Sequence, residues 1–146
     1  MIRKSAVALI SSALLVAGLA TSAMATDAPS SGLGRSWPNA TDVSANPHWH
    51  VYVFEKDGIR YVQVNDLNGG VHGAIATAGG QVLVLPIGSD SQNVTTAPST
   101  TASTAQTVYS DSQVTISATP LSTGATQLSV QSTCTGDPLE CNTHVN

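Results

Sequence analysis

His48-Trp-His-Val-Tyr-Val-Phe-Glu-Lys-Asp-Gly-Ile-Arg-Tyr-Val-Gln-Val64 is the stretch whose reading decides the fold. Residues alternate in character on both sides of Asp57-Gly58, a pair suited to a type I′ turn because both central positions need positive φ. A two-residue loop there sets Glu55 opposite Arg60, Phe54 opposite Tyr61, Val53 opposite Val62 and Val51 opposite Val64. One opposite-charge pair, one aromatic pair and two valine pairs, each worth roughly 0.2–1 kcal/mol, all favour the same register. The segment also holds four of the six aromatic residues and two of the four histidines.

Working towards the C-terminus, Asn68-Gly69 and Gly79-Gly80 are the next turn signals. Two-residue loops at both predict Asn65 opposite His72, Val62 opposite Ile75, Thr77 opposite Val82 and Ile75 opposite Val84. The expectation is a four-stranded antiparallel meander over about 48–56, 59–66, 71–78 and 81–87. One face carries Val51, Val53, Val62, Val64, Val71, Ile75, Val82 and Val84, a core face. The other grades from His48, His50, Tyr52, Phe54, Tyr61, Gln63, Asn65 and His72 to Leu83 and Leu85. The fourth strand is apolar on both sides and needs cover on both. A one-residue slip at Asn68 would bury His72 and expose Ile75.

Residues 88–107 are mostly Ser, Thr, Ala, Asn and Gln with Pro98 and one charge, and read as a flexible linker or long loop, a composition also found in O-glycosylated stalks. In the C-terminal part, 108–146, two alternating runs, Val114-Thr-Ile-Ser-Ala and Gln127-Leu-Ser-Val-Gln, flank a turn at Pro120 to Gly124. They predict a hairpin with Val114, Ile116, Leu128 and Val130 as its apolar stripe. A lone hairpin is marginal in water, so this one should dock on the meander, with Leu83 and Leu85 as a natural place, or extend its edge.

Towards the N-terminus, residues 26–47 contain Pro29, Pro38 and Pro47 and read as an extended arm pinned at Trp37. Residues 1–25 read as a cleaved signal peptide: Arg3 and Lys4, an apolar run from Ala6 to Ala20, then Ala23-Met24-Ala25. The run is too short for a membrane span, and no transmembrane segment is expected in the mature chain. Cleavage leaves Arg35, Lys56 and Arg60 against nine acidic residues, a formal charge of −6. So few cations argue against nucleic acid and anionic membrane surfaces as partners. In an exported chain, Cys134 and Cys141 are expected to form a disulfide around Gly136-Asp137-Pro138.

Chemistry concentrates in histidine and aromatic residues. His48 and His50 share a strand face, and the expected register extends that row through Asn65 to His72. His48, His50 and His72, with His144 if the tail folds back, are therefore candidate ligands for zinc or copper. Sheet spacing puts His50 and His72 roughly 10 Å apart, so both rings would have to lean inward. The same residues also suit a solvated polar face. His50, Tyr52, Phe54 and Tyr61 form a candidate surface for a small ligand or an envelope protein. Asp66-Leu-Asn-Gly-Gly suggests a calcium loop, but the later bidentate Glu is missing and a β-turn explains it more simply. The chain lacks a Gly-x-Ser-x-Gly elbow and a His-Glu-x-x-His pattern, and no catalytic residue is assigned.

The leader and the His-Trp-His-Val-Tyr-Val meander resemble small uncharacterised exported, periplasmic proteins of Gram-negative bacteria. That resemblance implies export and no particular activity; it also makes the Asn39-Ala-Thr and Asn93-Val-Thr triplets poor glycosylation candidates. The overall expectation is an exported all-β single domain, a non-enzymatic binding or envelope-associated module without an obligatory cofactor. A periplasmic divalent-metal binder is the alternative.

Overall fold

The computed structural model describes residues 30–96 and 104–133. The expected leader, Cys134, Cys141 and His144 lie outside the described residues. Among those described there is no α-helix, and their regular structure is strand apart from one short 3₁₀ turn.

The meander forms as its turns dictate. Strands β1 (Trp49–Lys56), β2 (Ile59–Asp66), β3 (Val71–Ala78) and β4 (Gln81–Leu85) make one antiparallel sheet in that order. Asp57 and Gly58 take φ of 53° and 78°, Gly79 and Gly80 54° and 77°, as the primed turns require. The first and third hairpins have the expected pairings, Val53 with Val62 and Thr77 with Val82 among them.

The middle hairpin departs from expectation. Its loop has three residues, Leu67, Asn68 and Gly69, closed by the Asp66 N–H donating to the Gly70 carbonyl at 2.9 Å. Asp66 Oδ1 accepts from the N–H groups of Asn68 (2.8 Å) and Gly70 (2.9 Å), and Gly69 has φ +84°. Side-chain capping by Asp66 thus favours the longer loop with a left-handed glycine. That loop shifts the register by one, so Asn65 faces Val71 rather than His72. A bulge at His72 then absorbs the shift, restoring Val64 opposite Gly73 and Val62 opposite Ile75. The slip therefore moves His72 without turning Ile75 out of the core.

A second sheet has the order β5-β8-β7-β6: β5 (Val94–Thr95), β6 (Gln106–Ser110), β7 (Val114–Pro120) and β8 (Thr126–Ser132). The hairpin β7–β8 pairs antiparallel, and its stripe Val114, Ile116, Leu128 and Val130 is buried, each at most 2% exposed. It docks on the valine face of the meander, not beside Leu83 and Leu85. Val51, Val62, Val64 and Ile75 share one core with that stripe, Val108, Tyr109 and Ala118. Two apolar faces buried against each other make a β-sandwich. The interval 88–107 contributes a 3₁₀ turn (Ser91–Asn93), β5 parallel to β8, and the start of β6. At Gly73 the sheets are so close that a Cβ would stand 2.8 Å from Leu128 Cδ1.

The meander's second face is covered by the N-terminal arm. Gln63 and Asn65 lie on it with no solvent exposure, beside Tyr52 at 6% and Phe54 at 5%. Gln63 Oε1 accepts from the Gly34 N–H (2.6 Å), and its amide nitrogen donates to the Arg35 carbonyl and to Asn65 Oδ1 (both 2.8 Å). Asn65 in turn donates to the Ser36 carbonyl at 2.8 Å. The polar members of this face are thus buried partners for arm backbone, which would otherwise lose its hydrogen bonds to water.

Candidate functional site

The four residues of the expected ligand face do not share one accessible surface. Tyr52 and Phe54 are buried, Tyr61 is half-buried opposite Phe54, and His50 reaches the surface with 26% side-chain exposure. His48 is exposed just before β1, its N–H bonded to Asn46 Oδ1. The bulge carries His72 away from His50, so the row His50-Asn65-His72 is not formed.

His72 instead sits at the end of the sandwich, edge-on to Trp49 with ring centroids 5.2 Å apart. Nδ1 lies 2.6 Å from Asp90 Oδ2 and Nε2 lies 3.2 Å from Asp66 Oδ2. Both ring nitrogens are engaged by carboxylates, and the ring is only 16% exposed. Burial alone would raise the Asp66 carboxyl, but the Gly70 N–H, His72 and the Asn68 N–H outweigh it and hold it below its usual range. The arrangement ties the meander to the chain leading into β5. Among the described residues, no three His, Cys, Asp or Glu side chains are grouped as a metal cage.

His50 is built differently. Its Nδ1 lies 2.7 Å from Asp42 Oδ2, while Asp42 Oδ1 accepts from the N–H groups of Val51 and Ser44, both at 3.0 Å. Burial would push the Asp42 carboxyl up, yet these hydrogen bonds and the nearby ring lower it. An ionised carboxylate can only accept, so it orients the imidazole with Nδ1–H inward. In the neutral ring Nε2 is then an acceptor directed away from that pair. The ring stacks near Tyr52 (6.2 Å between centroids) and stands edge-on to Trp37 (5.7 Å).

Trp37 completes the site. It is 61% exposed, yet its ring packs so closely on Gly69 that a Cβ there would lie 2.9 Å away. The preceding residues Gly34, Arg35 and Ser36 are fastened to Gln63 and Asn65. The result is an exposed indole beside an oriented imidazole. Sequence reading places His50 here and marks Trp37 as a pin, but Asp42 belongs to no pattern, and the glycine under the indole reads only as a turn residue.

A separate charged cluster joins the sheets at the Asp57-Gly58 end. Arg60 bonds Glu55 Oε1 through Nε (3.0 Å) and Nη2 (2.8 Å), and Asp111 Oδ2 through Nη1 (2.8 Å). Asp111 Oδ2 also accepts from the Tyr109 hydroxyl at 2.8 Å. Its role is explained by cross-sheet bonding. Comparisons with protein-family models, curated proteins and solved structures find no match to this chain.

Proposed function

We propose that this protein is an exported, non-catalytic binding module of the cell envelope, and that Trp37 and His50 form its contact patch. The observation that carries this reading is an indole left largely in solvent while the three residues before it are fastened to two fully buried side-chain amides. A pre-ordered aromatic loses little conformational freedom on binding, which is why Trp dominates recognition surfaces. The oriented His50 supplies a polar anchor beside it. The signal-peptide pattern ending at Ala25 supports export.

The test compares the wild-type chain with Trp37→Ala and His50→Ala on a resin exposed to envelope extract. Both variants should keep the wild-type melting temperature within a few degrees and lose the species the wild type retains. Equal capture by all three chains at equal stability would sink the reading.

A second reading rests on the outward direction of His50 Nε2, with His48 two residues before it in sequence. In that reading the two histidines take zinc or copper, and His72, held by two carboxylates, takes no part. Titration with either metal should then shift the His48 and His50 imidazole NMR signals and spare His72. No shift below millimolar metal would remove it.

A further inference from the structure

The two outer strands of the meander are treated in opposite ways. In an antiparallel sheet, alternate residues of an edge strand direct N–H and C=O away from the sheet, a template for another strand. Counting from the Asp57-Gly58 turn, those residues in β1 are Trp49, Val51, Val53 and Glu55. The arm takes up four of these eight groups. The Trp49 N–H donates to the Asn46 carbonyl (3.2 Å) and the Val51 N–H to Asp42 Oδ1 (3.0 Å). The Val51 carbonyl accepts from the Val43 N–H (2.8 Å), and that of Val53 from the Ser30 hydroxyl (3.0 Å). In the second sheet, the Ala45 N–H closes on the Val108 carbonyl of β6 at 2.8 Å, and β5 is only two residues long.

The same count from Gly79-Gly80 directs the N–H and C=O of Val82 and Val84 outward from β4. Among the described residues these four groups have no hydrogen-bond partner. Nor does β4 carry the usual safeguards of an edge. Residues 78–87 contain no charge, Pro86 comes only after the strand ends, and Leu83 is 64% exposed.

We propose that β4 is a self-association edge, on which a second copy of this chain pairs antiparallel about a two-fold axis through Leu83. Val82-Leu83-Val84 reads alike in both directions, so the pairing is isologous and closed. Val82 of each copy faces Val84 of the other as a hydrogen-bonded pair, which satisfies all four outward groups of each strand. Leu83 faces its counterpart in the close, non-hydrogen-bonded position, about 4.5 Å between Cα atoms. Charge favours a second copy at this place. The chain is net negative, −6 once the expected leader is removed, and repels itself over charged surface, whereas β4 itself carries no charge. Five residues of edge bury less than the roughly 1,200 Å² of a tight interface, so the dimer is weak and concentration-dependent.

Sedimentation equilibrium from about 10 μM to 1 mM, on chain purified from an exporting host, tests this together with amide hydrogen exchange. The apparent mass should climb towards twice the monomer, and exchange at Val82 and Val84 should slow as concentration rises. Leu83→Lys and Leu83→Glu should each stay monomeric with an unchanged circular dichroism spectrum, because like charges then face across the axis. An equal mixture of the two variants should regain the heavier species. A wild type monomeric at 1 mM, a dimer equally strong in Leu83→Lys, or association without slower exchange at Val82 and Val84 would each overturn the proposal.

Discussion

Gln63 shows how one side chain can decide what a surface becomes. Fully buried, it meets the Gly34 N–H, the Arg35 carbonyl and Asn65 at once. Replacing it with Leu keeps the volume but leaves the Gly34 N–H without its partner, and the cost of one such group is about 1–3 kcal/mol. Gln63→Leu should therefore lower the urea midpoint and speed proteolytic cutting within residues 30–40. Unchanged cutting would mean that the arm is held elsewhere. Gly73 is constrained by space instead. Leu128 Cδ1 and Val94 Cγ2 lie 2.8 and 3.0 Å from where its Cβ would stand. Gly73→Ala should cost about 1–3 kcal/mol by overpacking, measurable by the same denaturation. Tyr109 carries an alkaline signature: burial and then Asp111 push its hydroxyl up to about 12. A group with a raised folded value stabilises fully below its ordinary value near 10 and loses that contribution as pH rises towards 12. Stability should fall across that window, and Tyr109→Phe should flatten the fall.

At the scale of elements, the meander was legible because its information is local. Asp57-Gly58 and Gly79-Gly80 sit in positive-φ turns, and paired valines fix the strands on either side. Asn68-Gly69 misleads because a side chain outside the dipeptide, Asp66, caps a longer loop. The partners of the second face lie further away in sequence. Gln63 bonds residues 29 and 28 positions earlier, in a segment with no periodicity of its own. A polar residue alternating outward on a strand looks the same whether it meets water or a distant backbone. That is why Tyr52 and Phe54 read as a surface, and why the site is legible at His50 but not at Asp42. Removing residues 30–46 should expose both aromatics, so the shortened chain should bind a hydrophobic dye that the intact chain ignores. Absence of added dye binding would show that the face has other cover.

For the whole molecule, two sheets share one apolar core, and Arg60 and Tyr109 meet across them at Asp111. Burial would raise the Asp111 carboxyl, but the Val114 and Gln113 N–H groups, the Tyr109 hydroxyl and Arg60 together hold it low. Asp42 and Asp66 are lowered as well. Carboxyls with depressed folded values stabilise fully above about pH 4 and lose that contribution as they are protonated below it. Thermal midpoints should thus fall steeply as pH drops from about 4 towards 2, and Asp111→Asn should soften the drop while lowering stability at neutral pH. The arm's hold on β1 also fixes the valence of the molecule. With one side of the sheet stopped and the other free, each copy is monofunctional, and growth terminates at two. Unstopping β1 would make every copy bifunctional, a monomer in the polymer chemist's sense, joined end to end without a terminating step. Seventeen residues of arm would then separate a dimer from a ribbon.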